Sequence, residues 1–117
     1  MALTLTTLTK RADFLRVQAA PRVGTTSLVL HRLPTELPEN TARVGFTVTK
    51  RCGKAVERNR IKRRLRALAR VILAEQGETG MDYVLIGKPE TGHIPFDTMK
   101  RDLEYALKRH AQGKVRL

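Results

Sequence analysis

The sequence is poor in the residues that build disulfides, membrane spans and aromatic cores: it has one cysteine, no tryptophan, three phenylalanines and two tyrosines. The single cysteine, Cys52, cannot form an internal disulfide, which is typical of proteins in a reducing compartment. The longest apolar runs, at 71–74 and 83–86, have four residues each and are far too short to span a bilayer. Residues 1–10 lack the basic start and long apolar middle of a signal peptide. These absences predict a cytoplasmic protein.

The spacings of a metal site or of a protein active site are also missing from the sequence. The three histidines, His31, His93 and His110, have no metal-ligand spacing, and neither an HExxH motif nor a cysteine pair occurs. The carboxylates are scattered, without the cluster that two-metal catalysis requires. We therefore expect no metal ligands and no catalytic residues in this chain.

Acidic residues are scarce relative to basic ones. The chain has 11 Asp and Glu against 23 Lys and Arg, which gives a formal net charge of +12 over 117 residues. Because like charges repel one another in a compact fold, an excess of this size indicates an anionic partner. The length is that of one domain, which we predict over residues 1–117 with an ordered core at about 8–112.

Two segments alternate apolar and polar residues and are predicted to be strands, at 25–33 and 42–50. The first would turn Leu28 and Leu30 towards the core, and Val29 and His31 towards the other surface. We expect the two strands to pair as an antiparallel hairpin. A third strand at 81–88 is a continuous apolar run, which is typical of a strand covered on both faces.

Three helices complete the predicted order α-β-β-α-β-α. They are expected at residues 9–18, at about 55–75 with Gly77 as a stop signal, and at 95–111 with Pro95 at the start. This order indicates an α+β two-layer sandwich with a small sheet.

The second helix carries the strongest pattern in the sequence, the stretch "ERNRIKRRLRALARVIL" at 57–73. Its apolar residues recur at helical spacing and define a core-facing stripe, namely Ile61, Leu65, Leu68 and Ile72. Nearly opposite lies a polar row of Asn59, Arg63, Arg66 and Arg70, flanked by Arg60, Lys62 and Arg64. Residues 58–70 contain seven basic side chains and no carboxylate. Such a helix presents one face to the core and a guanidinium array to solvent.

The unmixed charge of this helix favours contact with a structured polyanion. Like charges four residues apart destabilise a helix, so an array without acidic partners is not an ordinary solvated face. Arginine outnumbers lysine six to one between residues 58 and 70, which suits bidentate contact with phosphate. Asn59 can reach a base edge or a 2′-hydroxyl. Membrane insertion is disfavoured because the small core needs the apolar stripe. A DNA-reading helix-turn-helix is disfavoured because a strand precedes the helix.

The segment "KAVERNRIKRRLR" resembles the arginine-rich signature of the bacterial ribonuclease P protein family. Three further segments resemble that family in the same order, namely "LTKRADFLRV", "RVGFTVTKRCGKAV" and "DYVLIGKP". The resemblance covers roughly residues 8–110.

The resemblance implies a fold like that of a ribosomal-protein domain, with a left-handed βαβ crossover through the basic helix. It also implies a protein subunit that assists removal of the 5′ leader from precursor tRNA, while the catalytic RNA subunit cleaves with Mg²⁺ that it mainly holds itself. The expected partners are that RNA and precursor tRNA. Neither DNA, nor a membrane, nor a protein oligomer is required.

Two binding surfaces follow from the resemblance. The surface for the catalytic RNA and the cleavage site would use residues of the basic helix, namely Arg58, Asn59, Arg60, Lys62, Arg63, Arg66 and Arg70. The leader would lie in a cleft between the first helix and the outer sheet face, at Phe14, Val17, Gln18, Val29, His31 and Thr47. Gln18 and His31 stand where many members have aromatics, so leader binding would depend more on charge.

Several interpretations stay open from the sequence. Phe14 fits either the cleft or the core, and His31 fits a surface strand residue better than a stacking platform. A structural or ribosomal RNA-binding protein without a role in cleavage also accounts for the charge.

Overall fold

The computed structural model describes residues 3–117. Its three helices are α1 (Arg11–Gln18), α2 (Ala55–Gln76) and α3 (Phe96–Ala111). Its five strands are β1 (Thr4–Thr7), β2 (Arg22–Gly24), β3 (Leu28–Pro34), β4 (Thr41–Thr47) and β5 (Met81–Gly87). Short 3₁₀ turns lie at Lys50–Cys52 and Pro89–Gly92. The predicted helices and the three predicted strands are all present, with shifts of a few residues at their ends.

The sheet has the strand order β1-β4-β5-β3-β2. Strands β1, β4 and β5 are parallel neighbours, whereas β3 is antiparallel to β5 and β2 is antiparallel to β3. The predicted β3–β4 hairpin is therefore wrong, because β5 lies between these two strands. The apolar run of β5 needs cover on both faces, which the centre of the sheet supplies. The parallel β4-α2-β5 crossover is present, and its hand stays a prediction.

Two edge strands were not predicted. Strand β1 precedes the expected start of the ordered core at residue 8 and has the sequence TLTT, mostly exposed. Strand β2 has only three residues, of which Val23 alone is buried. Both are too short for their sequence pattern to indicate a strand: β1 has four residues and β2 has three.

The helices lie on both faces of the sheet. Helices α2 and α3 cover the inner face, where their buried side chains pack with Leu28, Leu30, Tyr83 and Leu85 in the main core. Helix α1 covers part of the outer face, where Leu8, Val17 and Val84 form a smaller core. The expectation that Leu28 and Leu30 face the core is confirmed. No helix within residues 3–117 is both long and apolar enough to cross a membrane.

Candidate RNA-binding surfaces

The exposed side of α2 carries the row of residues predicted from helical periodicity. Ile61, Leu65, Leu68 and Ile72 are all buried, which fixes the rotation of the helix. The opposite row is exposed and consists of Asn59, Arg63, Arg66 and Arg70. We call these four residues the basic row. No side-chain carboxylate of residues 3–117 lies within 4.0 Å of its three guanidinium groups. Their charge is therefore available to an anionic ligand.

The flanking basic side chains of α2 have structural contacts that the sequence does not reveal. Arg60 Nε donates to the Gly92 carbonyl at 3.0 Å, and Arg64 Nη1 donates to the same carbonyl at 2.9 Å. The second Arg64 amino group donates to the Ile94 carbonyl. Arg64 thus holds the segment before α3 against the side of α2. Arg60 contacts the same segment, but its side chain remains exposed.

Two predicted members of the α2 surface, Arg58 and Lys62, are only half-buried. The Arg58 Nε atom is buried and has no hydrogen-bond partner among the described residues. Glu57 in the first turn accepts a hydrogen bond from the Lys54 backbone N–H and so caps the helix. Glu57 therefore fixes the start of α2. The exposed basic side chains of the helix beyond this cap are Arg60 and the three arginines of the basic row.

The outer face of the sheet is organised in rows that cross three strands. Register pairs Thr47 with Ile86 and Val29 with Ile86, so these residues lie side by side on β4, β5 and β3. All three are half-buried. Thr47 Oγ1 donates to the Gln18 Oε1 atom at 2.8 Å, which joins this row to the end of α1. Val29, Ile86 and Thr47 are therefore neighbours on the outer face, and Gln18 contacts Thr47. Ile86 lies between two predicted cleft residues and was not itself predicted, and the role of this row in holding a leader stays a prediction.

Phe14 lies where α1 approaches β4 most closely. A Cβ atom added at Gly45 would stand 2.5 Å from Phe14 Cε1 and 2.6 Å from Phe14 Cζ, so the ring rests directly against the glycine. The ring is half-buried and packs against the small outer core. Phe14 is thus a core contact whose ring is partly exposed, and its place in a leader cleft stays a prediction.

Two predicted cleft residues, Val17 and His31, are covered in this structure. Val17 is 0% exposed and His31 is 5% exposed. The expectation of a surface position for His31 is wrong, because the chain after α1 folds over it and the Ala20 carbonyl accepts a 2.9 Å hydrogen bond from its Nδ1–H. Burial lowers the pKa of His31, although that hydrogen bond acts in the opposite direction. Val17 packs α1 onto the small outer core, and His31 lies under the chain that follows α1.

A buried carboxylate that the sequence did not single out joins α1 to the sheet. Asp82 Oδ2 accepts hydrogen bonds from Arg16 at 2.6 Å, from Arg43 at 2.7 Å and from Thr35 at 3.1 Å. Asp82 Oδ1 accepts another from Arg43 Nε at 2.8 Å. Burial by itself raises the pKa of Asp82, but the bonds from Arg43, Arg16 and Thr35 outweigh it and hold that pKa below its ordinary value. Helix α1 is therefore fixed above the outer face by an ionised carboxylate.

A surface path connects the cleft floor with the exposed side of α2. One depression, of about 580 Å³, runs from Ile86 past Arg51 to Cys52. A second, of about 530 Å³, shares Cys52 with the first and reaches Arg60 on α2. The two depressions thus link Ile86 on the outer face with Arg60 on α2.

Comparison with known proteins identifies the family of this fold and surface. The family model for ribonuclease P matches residues 4–111. The chain belongs to the ribonuclease P protein family. The ribonuclease P protein component of Ruegeria pomeroyi is 45% identical over 107 residues, which cover 90% of this chain and 86% of the relative. That of Paramagnetospirillum magneticum is 44% identical over 113 residues, which cover 93% and 85%.

Solved ribonuclease P proteins have the same fold. The ribonuclease P protein from Thermotoga maritima superposes with a TM-score of 0.70 at 28% identity, and the match covers 87% of this chain and 94% of that one. Membership of the ribonuclease P protein family makes this chain a protein component of the tRNA-processing ribonuclease P. In general, a component of this enzyme has the ribonuclease P RNA and precursor tRNA as partners.

Proposed function

We propose that this chain binds the catalytic RNA of ribonuclease P through α2 and holds the 5′ leader of precursor tRNA in the cleft beside α1. The proposal is supported by two adjoining depressions that lie between Ile86, in the half-buried row Val29–Ile86–Thr47, and Arg60 on α2. A single RNA strand that follows these depressions has its leader on the outer face of the sheet and its cleavage site beside α2.

The basic row supplies the contacts to the catalytic RNA. Arg63, Arg66 and Arg70 are exposed and unpaired within residues 3–117, so phosphate can take two parallel hydrogen bonds from each guanidinium group. Asn59, in the same row, has both a donor and an acceptor to offer to a base edge or a 2′-hydroxyl.

The cleft suits a single strand better than a duplex. Phe14 offers a half-buried ring on which an unpaired base could stack, and the Thr47–Gln18 hydrogen bond joins β4 to the end of α1 beside it. Base stacking on an aromatic ring is worth about 1–3 kcal/mol and tolerates any sequence. With one half-buried ring, leader binding would combine modest stacking with attraction between phosphates and a chain of net charge +12.

Hydrolysis itself belongs to the RNA subunit in this proposal. Within residues 3–117, no group of three or more His, Cys, Asp or Glu side chains is arranged to hold a metal ion. The described residues therefore do not fit a protein-held Mg²⁺ site, and the ion would be held mainly by RNA. The role left to this chain is to position two RNAs, in the cytoplasm where both are present.

The cleft is tested by Phe14→Ala in the particle assembled with the cognate catalytic RNA. We expect weaker binding of precursor tRNA and little change for mature tRNA, because only the precursor has a leader to contact Phe14. The matched control is Leu15→Ala, which removes a neighbouring side chain of α1 that is 57% exposed. Dissociation constants for the two tRNAs provide the measurement. Equal losses for both tRNAs, or an equal effect of Leu15→Ala, would remove the leader cleft from the proposal.

A further inference from the structure

A third group of basic side chains surrounds Tyr105 at the β2 edge of the sheet. It lines a depression of about 380 Å³ and consists of Arg22, Tyr105, Arg109, Lys114 and Arg116. We call these five residues the Tyr105 cluster. Helix α3 packs on β3 and β2, whereas α2 packs on β4 and β1. The cluster is therefore on the opposite half of the molecule from α2 and lies outside the cleft beneath α1.

The fold brings these residues together through backbone contacts. After α3 the chain turns back at Gly113, whose φ of 72° is in the left-handed region that favours glycine. The Lys114 N–H then donates to the Arg109 carbonyl at 2.9 Å. Arg116 and Arg22 exchange two backbone hydrogen bonds, of 2.7 and 2.9 Å, as an antiparallel bridge. Backbone hydrogen bonds thus bring these residues close together.

This concentration of charge is unfavourable for the isolated protein. Directly opposed like charges destabilise an antiparallel pair, and Arg22 stands opposite Arg116. No side-chain carboxylate within residues 3–117 lies within 4.0 Å of any cationic group of the cluster. Arg109 is favourable near the end of α3 because of the helix dipole, but this argument does not extend to Arg22 or Arg116. An anionic ligand would account for all of them.

Tyr105 gives the cluster a flat apolar surface among its charges. Its side chain is 50% exposed, whereas the other tyrosine, Tyr83, is 0% exposed. The Arg109 guanidinium carbon lies 5.7 Å from the centre of the Tyr105 ring. A base stacked on this ring would lie beside a guanidinium group able to bind its phosphate. Three of the four cations are arginines, and four of the seven residues that line the depression are charged, which suits nucleic acid better than a membrane interface, where bulky apolar side chains are needed.

We propose that the Tyr105 cluster is an additional RNA-binding site, specific for unpaired nucleotides. Tyr105 stacks on one base, and the surrounding arginines bind the phosphates on either side of it. The site is separate from the basic row and from the cleft, so it adds a third RNA contact to the two of the proposed function. Its binding does not depend on whether the cleft holds a leader.

The exposed tyrosine provides a direct test. The full chain carrying Arg63→Ala and Arg66→Ala, which weaken the basic row, is titrated with a short labelled oligouridylate. Binding is followed by the anisotropy of the label and by tyrosine fluorescence. Because the chain has no tryptophan and Tyr83 is buried, quenching on binding reports on Tyr105.

Three further substitutions in that chain complete the test. Tyr105→Phe should keep the affinity and abolish the quenching. Tyr105→Ala should weaken binding by about fivefold or more, the equivalent of a stacking loss of at least about 1 kcal/mol. Lys100→Ala is the matched control, since it removes a charge from the same helix where Lys100 already pairs with Asp97 at 3.3 Å. Thermal unfolding of each variant establishes that it is folded.

Two outcomes would overturn the proposal. The first is saturation with oligouridylate without any change in tyrosine fluorescence, together with equal affinities for Tyr105→Ala and Lys100→Ala. The second is a loss of binding to phosphatidylglycerol vesicles in Tyr105→Ala while its RNA affinity is unchanged, which would assign the cluster to a lipid surface. Failure of the leader test with Phe14→Ala would leave the expected results here unaltered, so the two proposals fail separately.

Discussion

Replacing Asp82 by asparagine should release α1 from the sheet and measurably destabilise the fold. The Asp82 side chain is 0% exposed and accepts hydrogen bonds from Arg16, Arg43 and Thr35. Asparagine has nearly the same shape but carries no charge, so the two guanidinium groups would lose their buried counter-ion and keep only Asp13, which lies 3.5 Å from Arg16 and 3.6 Å from Arg43.

The size of this effect follows from the exposure of the partners. Removing one partner of a fully buried ion pair costs about 3–5 kcal/mol. The side chains of Arg16 and Arg43 are 38% and 26% exposed, so water would compensate part of the loss. We expect a decrease of about 2–3 kcal/mol in the free energy of unfolding, equivalent to roughly 10 °C in Tm for a chain of this size.

The effect should depend on pH with a defined sign. The pKa of Asp82 is lower in the folded state than its ordinary value of 3.8, so the unfolded chain takes up this proton first as the pH falls. The stabilisation by Asp82 is therefore complete above about pH 4 and is lost as the pH falls through the folded-state pKa. The difference in the free energy of unfolding between wild type and Asp82→Asn should have its full size at pH 7 and should become smaller in acid.

Urea unfolding of both proteins at pH 7 and at pH 3 is the measurement. The matched control is Asp97→Asn, because the Asp97 side chain is 81% exposed and should contribute less than about 1 kcal/mol. If Asp82→Asn costs no more than the control at pH 7, or if its cost is undiminished in acid, the anchoring role of Asp82 is refuted.

Four other predictions test separate parts of the structure. Gly45→Ala should lower stability by about 1–3 kcal/mol in urea unfolding, since its Cβ has no room, whereas Gly24→Ala has nothing within 4 Å of the new Cβ and should not. Arg66→Ala should weaken binding to the catalytic RNA and reduce its log–log salt slope by about 0.7–0.9, with unchanged stability. Arg64→Ala should instead lower the free energy of unfolding, because it loses two backbone carbonyl contacts. Burial lowers the pKa of His31 from 6.5, so as the pH falls this imidazole takes up its proton first in the unfolded chain. The free energy of unfolding should therefore decrease below about pH 6.5, and the decrease should be smaller in His31→Gln.

The elements that the sequence predicts well are those with a strong local pattern. Helix α2 was predicted at about 55–75 and is found at Ala55–Gln76, because four apolar residues at helical spacing fix both its extent and its rotation. The burial of β5 on both faces was likewise evident from its continuous apolar run.

Local patterns in the sequence do not predict which distant segments pair with each other. The apolar alternation of β3 and β4 is the same whether they pair with each other or with β5, so the central place of β5 could not be deduced. Strand β2 is only three residues long, so its own composition does not indicate a strand. It is a strand because β3 is there to pair with it.

The same limit applies to the candidate sites. Helical periodicity places Arg64 on the flank of α2, but its carbonyl partner at Gly92 is 28 residues away in the chain. In the sequence, Asp82 is only a polar residue at the start of an apolar strand. Its partners Arg16 and Arg43 lie on α1 and β4. His31 alternates outward as expected, yet the chain after α1 buries it. In each case the property depends on a contact that only the folded chain creates.

In the proposed function, this chain assists an RNA catalyst and does not cleave precursor tRNA alone. The most direct test is cleavage of a precursor tRNA by the cognate catalytic RNA at low, near-physiological Mg²⁺, with and without the purified protein, and with the protein alone as a control. We predict efficient release of the leader only when RNA and protein are both present. Unchanged cleavage on addition of the protein, or cleavage by the protein alone, would contradict the account.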